Sequence, residues 1–252
     1  MPQKSNLKFV LIIPARFKSS RLPGKPLVEI CGQSLVSRVW DICSQVLPVE
    51  DIYVATDDKR ISEHCRNKGI QTLMTSPNCL TGTDRVGAAS KQVTADIYIN
   101  VQGDEPLLNP ADILEIIESK KKYPDEVING YSKISDNEDP ENVNIPKVVF
   151  NENQQMIYMS RSLVPGTKTK EFVPPNYYKQ VCIYAFNKQE LIDYAEFGRK
   201  GTLEFYEDIE ILRFLDIGVN IRVVETKSVS LAVDVPEDVK RVEEEILRRR
   251  KI

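Results

Sequence analysis

Between residues 9 and 102, short apolar runs alternate with amphipathic stretches, and this alternation restricts the possible folds more than any other feature of the 252-residue chain. Phe9 to Ile13 (FVLII) is an unbroken apolar run ended by Pro14, the pattern of a strand buried on both faces. From Ser34 to Val46, residues Leu35, Val39, Ile42 and Val46 fall on one helical face. Strand and helix patterns then recur at 51–56 (DIYVAT), 58–68, 71–74 (QTLM), 83–92 and 96–102 (DIYINVQ). Such repetition predicts an α/β fold with a mostly parallel central sheet and helices on both faces. Ligands of open sheets like this sit beyond the carboxyl ends of the strands, where strand order reverses. The loops after the first and fourth strands are the first places to look.

The second half is less regular. Residues 124–180 contain PDEV, DNEDPEN, VPGT and VPPN, which suit a loop-rich excursion carrying short strands at 147–150 (KVVF) and 156–160 (MIYMS). Helical periodicity returns at 203–217 and 236–251. No repeat or low-complexity linker divides the chain, so residues 1–252 read as a single domain with a mid-chain excursion.

Several function classes fall away on composition. The 34 Lys and Arg against 37 Asp and Glu give a net charge of −3, which argues against a general nucleic-acid binder. No apolar run approaches the roughly 20 residues that cross a bilayer, and the apolar core of the N-terminal segment is too short for a signal peptide. The five cysteines (Cys31, Cys43, Cys65, Cys79, Cys182) form no CxxC pair, so a reducing cytoplasm is the expected location. His64 is the only histidine and lies in a polar helical stretch, which excludes a multi-histidine metal site. Neither GxxxxGK[ST] nor GxGxxG occurs.

The loop after the first strand, PARFKSSRLPGKPL, concentrates Arg16, Lys18, Arg21 and Lys25 with Ser19, Ser20 and Gly24. Four cations at the carboxyl end of a buried strand repel one another unless an anion joins them. A polyphosphate fits: Arg offers forked donors, Lys a point charge, and Gly close backbone approach. Two acids answer them. Asp104 follows the fourth strand in NVQGDEPLL, and Asp234 follows SLAV, which reads as a further strand. Together they suit Mg²⁺, which takes a few carboxylates and phosphate oxygens. For Asp234, N-capping of the next helix fits equally well, and Asp57 and Asp58 in ATDD read as helix caps first.

The segments PARFKSSRLPGKPL, YVATDD, LTGTDRV, INVQGDEPLL, YMSRSLVP, IYAF and AVDVPEDV occur in an order and spacing that resembles the sugar-acid cytidylyltransferases, above all the 3-deoxy-manno-octulosonate cytidylyltransferase (CMP-Kdo synthetase) family. The resemblance covers roughly residues 8 to 248. It implies a Rossmann-like nucleotidyltransferase fold, in a homodimer with 124–180 supplying much of the contact. The implied reaction joins CTP to the anomeric hydroxyl of an acidic sugar and releases pyrophosphate, for bacterial lipopolysaccharide or surface polysaccharide. By the same resemblance Arg16, Ser19, Arg21 and Lys25 hold the triphosphate, Thr83 and Arg85 frame cytosine and ribose, and Gln102 faces nucleotide or sugar. Asp104 and Asp234 bind Mg²⁺ and, with Lys25, form the catalytic set, while Arg161, Gln180, Tyr184 and Glu210 belong to the sugar pocket.

Two departures fall on the sugar side. Where the family commonly reads HxGIY, this chain reads QVCIY, with Gln180 and Cys182 in the His and Gly positions. Where it commonly reads LEQLR, this chain has IEILR, keeping Glu210 and Arg213 but placing Ile211 between them. A modified octulosonate such as an 8-amino form, or a nonulosonic acid, is an alternative substrate, and a non-catalytic nucleotide sensor is the alternative from a different class.

Overall fold

The computed structural model describes residues 7–19, 21–169, 176–227 and 231–249. Its strands are β1 (Phe9–Ala15), β2 (Glu29–Ile30), β3 (Gln33–Ser34), β4 (Ile52–Thr56), β5 (Gln71–Met74), β6 (Ile97–Val101), β7 (Val127–Lys133), β8 (Lys147–Phe150), β9 (Met156–Ser160), β10 (Tyr178–Asn187) and β11 (Ile221–Glu225). Its helices are α1 (Leu35–Cys43), α2 (Lys59–Asn67), α3 (Gly82–Ser90), α4 (Pro110–Lys122), α5 (Lys188–Glu196), α6 (Thr202–Glu207), α7 (Leu212–Asp216) and α8 (Pro236–Arg249).

The central sheet runs β11-β7-β10-β6-β1-β4-β5. Along this path β10 is antiparallel to both neighbours, and the other pairings are parallel. β8 pairs with β10, and β9 with β8, both antiparallel. The apolar run of β1 reflects burial from two sides. Leu11 and Ile13 pack with Leu35 and Val39 of α1 in one core, while Val10 and Ile12 join Val86 and Ala89 of α3 in the other. Each such side chain contributes about 1.5–3 kcal/mol through burial. From β1 the chain moves outward to β4 and β5, then returns to the other side of β1 as β6. The reversal brings the loops after β1 and β6, the expected pair, to one crevice.

The structure departs from the sequence reading in four places. β1 continues through Pro14, whose carbonyl faces Gly103, beyond the last β6 pairing at Ile12, so the missing N–H costs no ladder bond. The helix expected over 203–217 is two, separated at Asp208, which has φ 50°. Arg161 explains the break, because its guanidinium takes the carbonyls of Glu207 (2.5 Å) and Asp208 (3.0 Å) in place of helical N–H groups. Leu231–Val233 form no strand, and Ser230 lies outside the described residues. Within 124–180, β7 and the start of β10 belong to the central sheet, so what leaves that path is the β8–β9 hairpin and its flanking loops.

Candidate active site

The loop after β1 holds its shape by local bonds. Gly24 has φ 70°, donates its N–H to the Phe17 carbonyl at 3.0 Å, and would bring a Cβ to 3.3 Å from the Phe17 ring, so glycine is required. Ser19 Oγ accepts from the Leu22 N–H at 3.3 Å, a turn contact. A short 3-10 turn over Lys25–Leu27, stiffened by Pro26, then sets Lys25 into the crevice, while Arg16, Lys18 and Arg21 stay exposed.

Lys25 Nζ lies 2.8 Å from Asp104 Oδ2 and 3.2 Å from Asp234 Oδ1, and Arg21 Nη2 lies 3.1 Å from the same Asp234 oxygen. Burial alone would lower the Lys25 pKa, but Asp104 and Asp234 outweigh it and hold the ammonium above its ordinary range. Two backbone features create this convergence. Gly103 lets the loop after β6 touch β1, since a Cβ there would stand 2.9 Å from the Pro14 carbonyl oxygen. The Val233 N–H donates to the Asp104 carbonyl at 3.0 Å, tying residue 234 to residue 104 without a strand.

The capping question resolves onto another residue. Asp238, in the first turn of α8, accepts from the N–H groups of Asp234 (2.9 Å) and Val235 (3.1 Å), leaving the Asp234 carboxylate to the cations. In ATDD, Asp58 caps α2 through the Arg60 N–H at 2.9 Å, whereas Asp57 does not cap and faces Arg85 at 3.5 Å.

A second cluster surrounds Glu210. Its carboxylate accepts from Thr83 N–H (3.1 Å), Thr83 Oγ1 (3.0 Å) and Gln102 Nε2 (2.6 Å), so one residue joins the start of α3 to the end of β6. Burial drives the Glu210 carboxyl above its usual range, while the Thr83 donors pull it down. Arg213 locks this arrangement from behind. Completely buried, it pairs with Glu204 (2.7 and 2.8 Å) and Asp84 (2.7 and 3.1 Å) and lies over the Tyr194 ring at 3.9 Å.

A third cluster lies on β10. Gln180 Nε2 donates to Tyr184 Oη at 3.2 Å, and Cys182 precedes Tyr184 by two positions on the same strand. The Gln102 N–H donates to the Cys182 carbonyl at 3.1 Å, which places this cluster beside the Glu210 cluster. Arg85, 3% exposed, is turned beneath α3 onto Thr75 Oγ1 (2.6 Å) and Asp57. Arg161 spends its guanidinium on the carbonyls of Val143, Glu207 and Asp208, bracing the α6–α7 junction. Lys200 first, and then Arg161 and Arg16, hold the Asp208 carboxyl below its usual range. Sequence reasoning missed the bracing roles of Arg213, Glu204 and Asn129, whose partners are distant in the chain.

The donor set can hold a metal only with help. Among the described residues no three His, Cys, Asp or Glu side chains form a metal-binding group. Asp104 and Asp234 nevertheless share one ammonium, so a cation between them is already accommodated, and phosphate oxygens could complete its coordination.

Comparison with known proteins gives concordant results. A family model described as cytidylyltransferase matches residues 10–221. A 3-deoxy-manno-octulosonate cytidylyltransferase of Escherichia coli is 35% identical over 235 residues, spanning 93% of this chain and 94% of its own. An 8-amino-3,8-dideoxy-manno-octulosonate cytidylyltransferase of Shewanella oneidensis is 36% identical over 249 residues, spanning 95% and 99%. The solved structure of a CMP:2-keto-3-deoxy-manno-octonic acid synthetase complexed with CTP superposes with a TM-score of 0.87 at 35% identity, covering 96% of this chain and 99% of its own.

Proposed function

This chain belongs to the cytidylyltransferase family, and from that premise we propose that it joins CTP to a 3-deoxy-octulosonate-type sugar acid, yielding the CMP-sugar and pyrophosphate. The observation that carries the reading is the meeting of Lys25 and Arg21 with Asp104 and Asp234 at the strand-order reversal. The sugar's anomeric hydroxyl attacks the α-phosphorus of CTP in line, and pyrophosphate departs. Such a step depends mostly on positioning and on neutralising developing charge. Arg16, Arg21 and Lys25 bind the phosphates, with Lys25 exchanging its aspartates for phosphate oxygens. Thr83, Gln102 and Glu210 form the wall between nucleotide and sugar.

Mg²⁺ is the cofactor this reading requires. Asp104 and Asp234 would hold it, and when bound it would offset phosphate charge and acidify the sugar hydroxyl. A second copy of this chain is the partner we infer. Phe205 and Tyr206 of α6 are 68% and 81% exposed, and Ile157 of β9 is 57% exposed; Tyr158 and Glu207 link those two elements at 3.2 Å. Such exposed aromatic side chains fit an interface, and light scattering of the purified protein tests it. Among the described residues no helix is long and apolar enough to cross a membrane. With five free thiols, the cytoplasm is the compartment we infer.

The 36% identity to a relative described as an 8-amino-3,8-dideoxy-manno-octulosonate cytidylyltransferase favours one second reading, an octulosonate modified as in the 8-amino form. The deciding assay incubates the protein with CTP, MgCl₂ and a panel of octulosonic and nonulosonic acids, measuring pyrophosphate release and the mass of the CMP adduct. Turnover of an octulosonate is expected. Tight CTP binding with no turnover of any acid would instead indicate a nucleotide sensor.

A further inference from the structure

The direction of one buried O–H bond can be followed outward from the backbone. β10 slips register against β7 between Val181 and Tyr184. Asn129 of β7, fully buried, spans that slip by donating Nδ2 to the carbonyls of Val181 (2.9 Å) and Ile183 (3.0 Å). Carbonyls only accept, so the nitrogen of the Asn129 amide is fixed and its Oδ1 is left as an acceptor. Gln180 Nε2 sits 3.3 Å from that Oδ1 and 3.2 Å from Tyr184 Oη. An acceptor on Asn129 demands the nitrogen of Gln180, and that nitrogen carries two hydrogens, one for each neighbour. The Tyr184 oxygen therefore receives a hydrogen bond from Gln180 and must direct its own hydrogen elsewhere.

We propose that Asn129 and Gln180 make the Tyr184 hydroxyl an obligatory hydrogen-bond donor toward an acceptor oxygen of the bound sugar acid, so that Gln180 is a positioning residue for sugar recognition. The inference rests on the reading that this crevice takes an acidic sugar. A carboxylate, ring or hydroxyl oxygen satisfies the donor, whereas an ammonium placed there does not.

The experiment has two arms. Neutron diffraction from crystals of the deuterated free protein is expected to show the Tyr184 deuteron directed away from Gln180 and two deuterons on Gln180 Nε2. A Tyr184 deuteron directed at Gln180 overturns the proposal. The kinetic arm is a double-mutant cycle. Tyr184→Phe should raise KM for the sugar acid roughly 10- to 100-fold, and Gln180→Met roughly 3- to 10-fold, with KM for CTP unchanged. Gln180→Met/Tyr184→Phe should be no worse than Tyr184→Phe alone, because Gln180 acts through that hydroxyl. Additive losses assign Gln180 a separate structural role and overturn the proposal. A wild-type protein that turns over no sugar acid refutes the proposed function, while the deuteron position still decides the hydroxyl's direction.

Discussion

Arg213→Met removes a guanidinium that has no contact with solvent. It is 0% exposed and makes four charge-assisted hydrogen bonds, two to Glu204 and two to Asp84, at 2.7 to 3.1 Å. Burial alone would lower its pKa, yet the two carboxylates raise it, which marks them as its true solvent. In the variant, Asp84 keeps the Thr81 N–H and hydroxyl at 2.9 and 2.8 Å, but Glu204 keeps only the Gly201 N–H at 2.9 Å among the donors found for it. Removing one partner of a buried ion pair costs about 3–5 kcal/mol, a large share of the roughly 5–15 kcal/mol that holds a domain together. With a urea slope of about 2–3 kcal/mol/M, the unfolding midpoint followed by far-UV circular dichroism should fall by about 1–2 M. Adding Glu204→Gln to Arg213→Met removes the orphaned charge and should recover about 1 kcal/mol or more. A loss below about 1 kcal/mol, or a double variant weaker than the single, would refute the reasoning.

Three further outcomes follow from the site. Asp104→Asn and Asp234→Asn should each lower CMP-sugar turnover by about 10²-fold or more at saturating CTP and Mg²⁺, and near wild-type turnover in either rejects that residue's role. Gly103→Ala forces a Cβ to 2.9 Å from a backbone oxygen; it should cost about 1–3 kcal/mol of stability and about 10- to 100-fold in kcat by moving Asp104, and stability loss with unchanged kcat would separate the two. Burial holds the Glu210 carboxyl above its unfolded value of about 4.3. Between those two values the folded protein binds a proton that the unfolded chain has released, so stability rises as pH falls. The urea midpoint of wild type relative to Glu210→Gln should therefore climb from pH 7 toward pH 5, and a flat difference contradicts this.

The first half of the fold was legible because its strands are buried on two faces and advertise themselves as apolar runs. β7 was not: its VINGYSK carries Asn129, Gly130 and Ser132, although it lies in the middle of the sheet path. Those polar residues have tasks that only the folded chain reveals. Asn129 serves the β10 carbonyls, and Gly130 admits Thr226 and Val181, which would stand 3.1 and 3.3 Å from a Cβ. α4 did carry a readable signal, an Asn109 cap followed by Pro110 at the first position, which the sequence reading passed over. In DVPED two acids compete for one cap, and only geometry awards it to Asp238. Lys25 and Asp234 are 209 positions apart, and no periodicity reports such a meeting. Arg213 stood in plain view in IEILR, but Asp84 and Glu204 gave no hint that they were its partners.

The Val233 N–H bond to the Asp104 carbonyl also bears on when the protein comes alive during synthesis. A nascent polypeptide can assemble β1, β6 and their loops while still on the ribosome, yet its Lys25 meets a single carboxylate until residue 234 has cleared the exit tunnel. Competence is thereby deferred to a late stage of translation, and a proteolytic nick just ahead of Leu231 would silence the enzyme while sparing every sheet strand among the described residues.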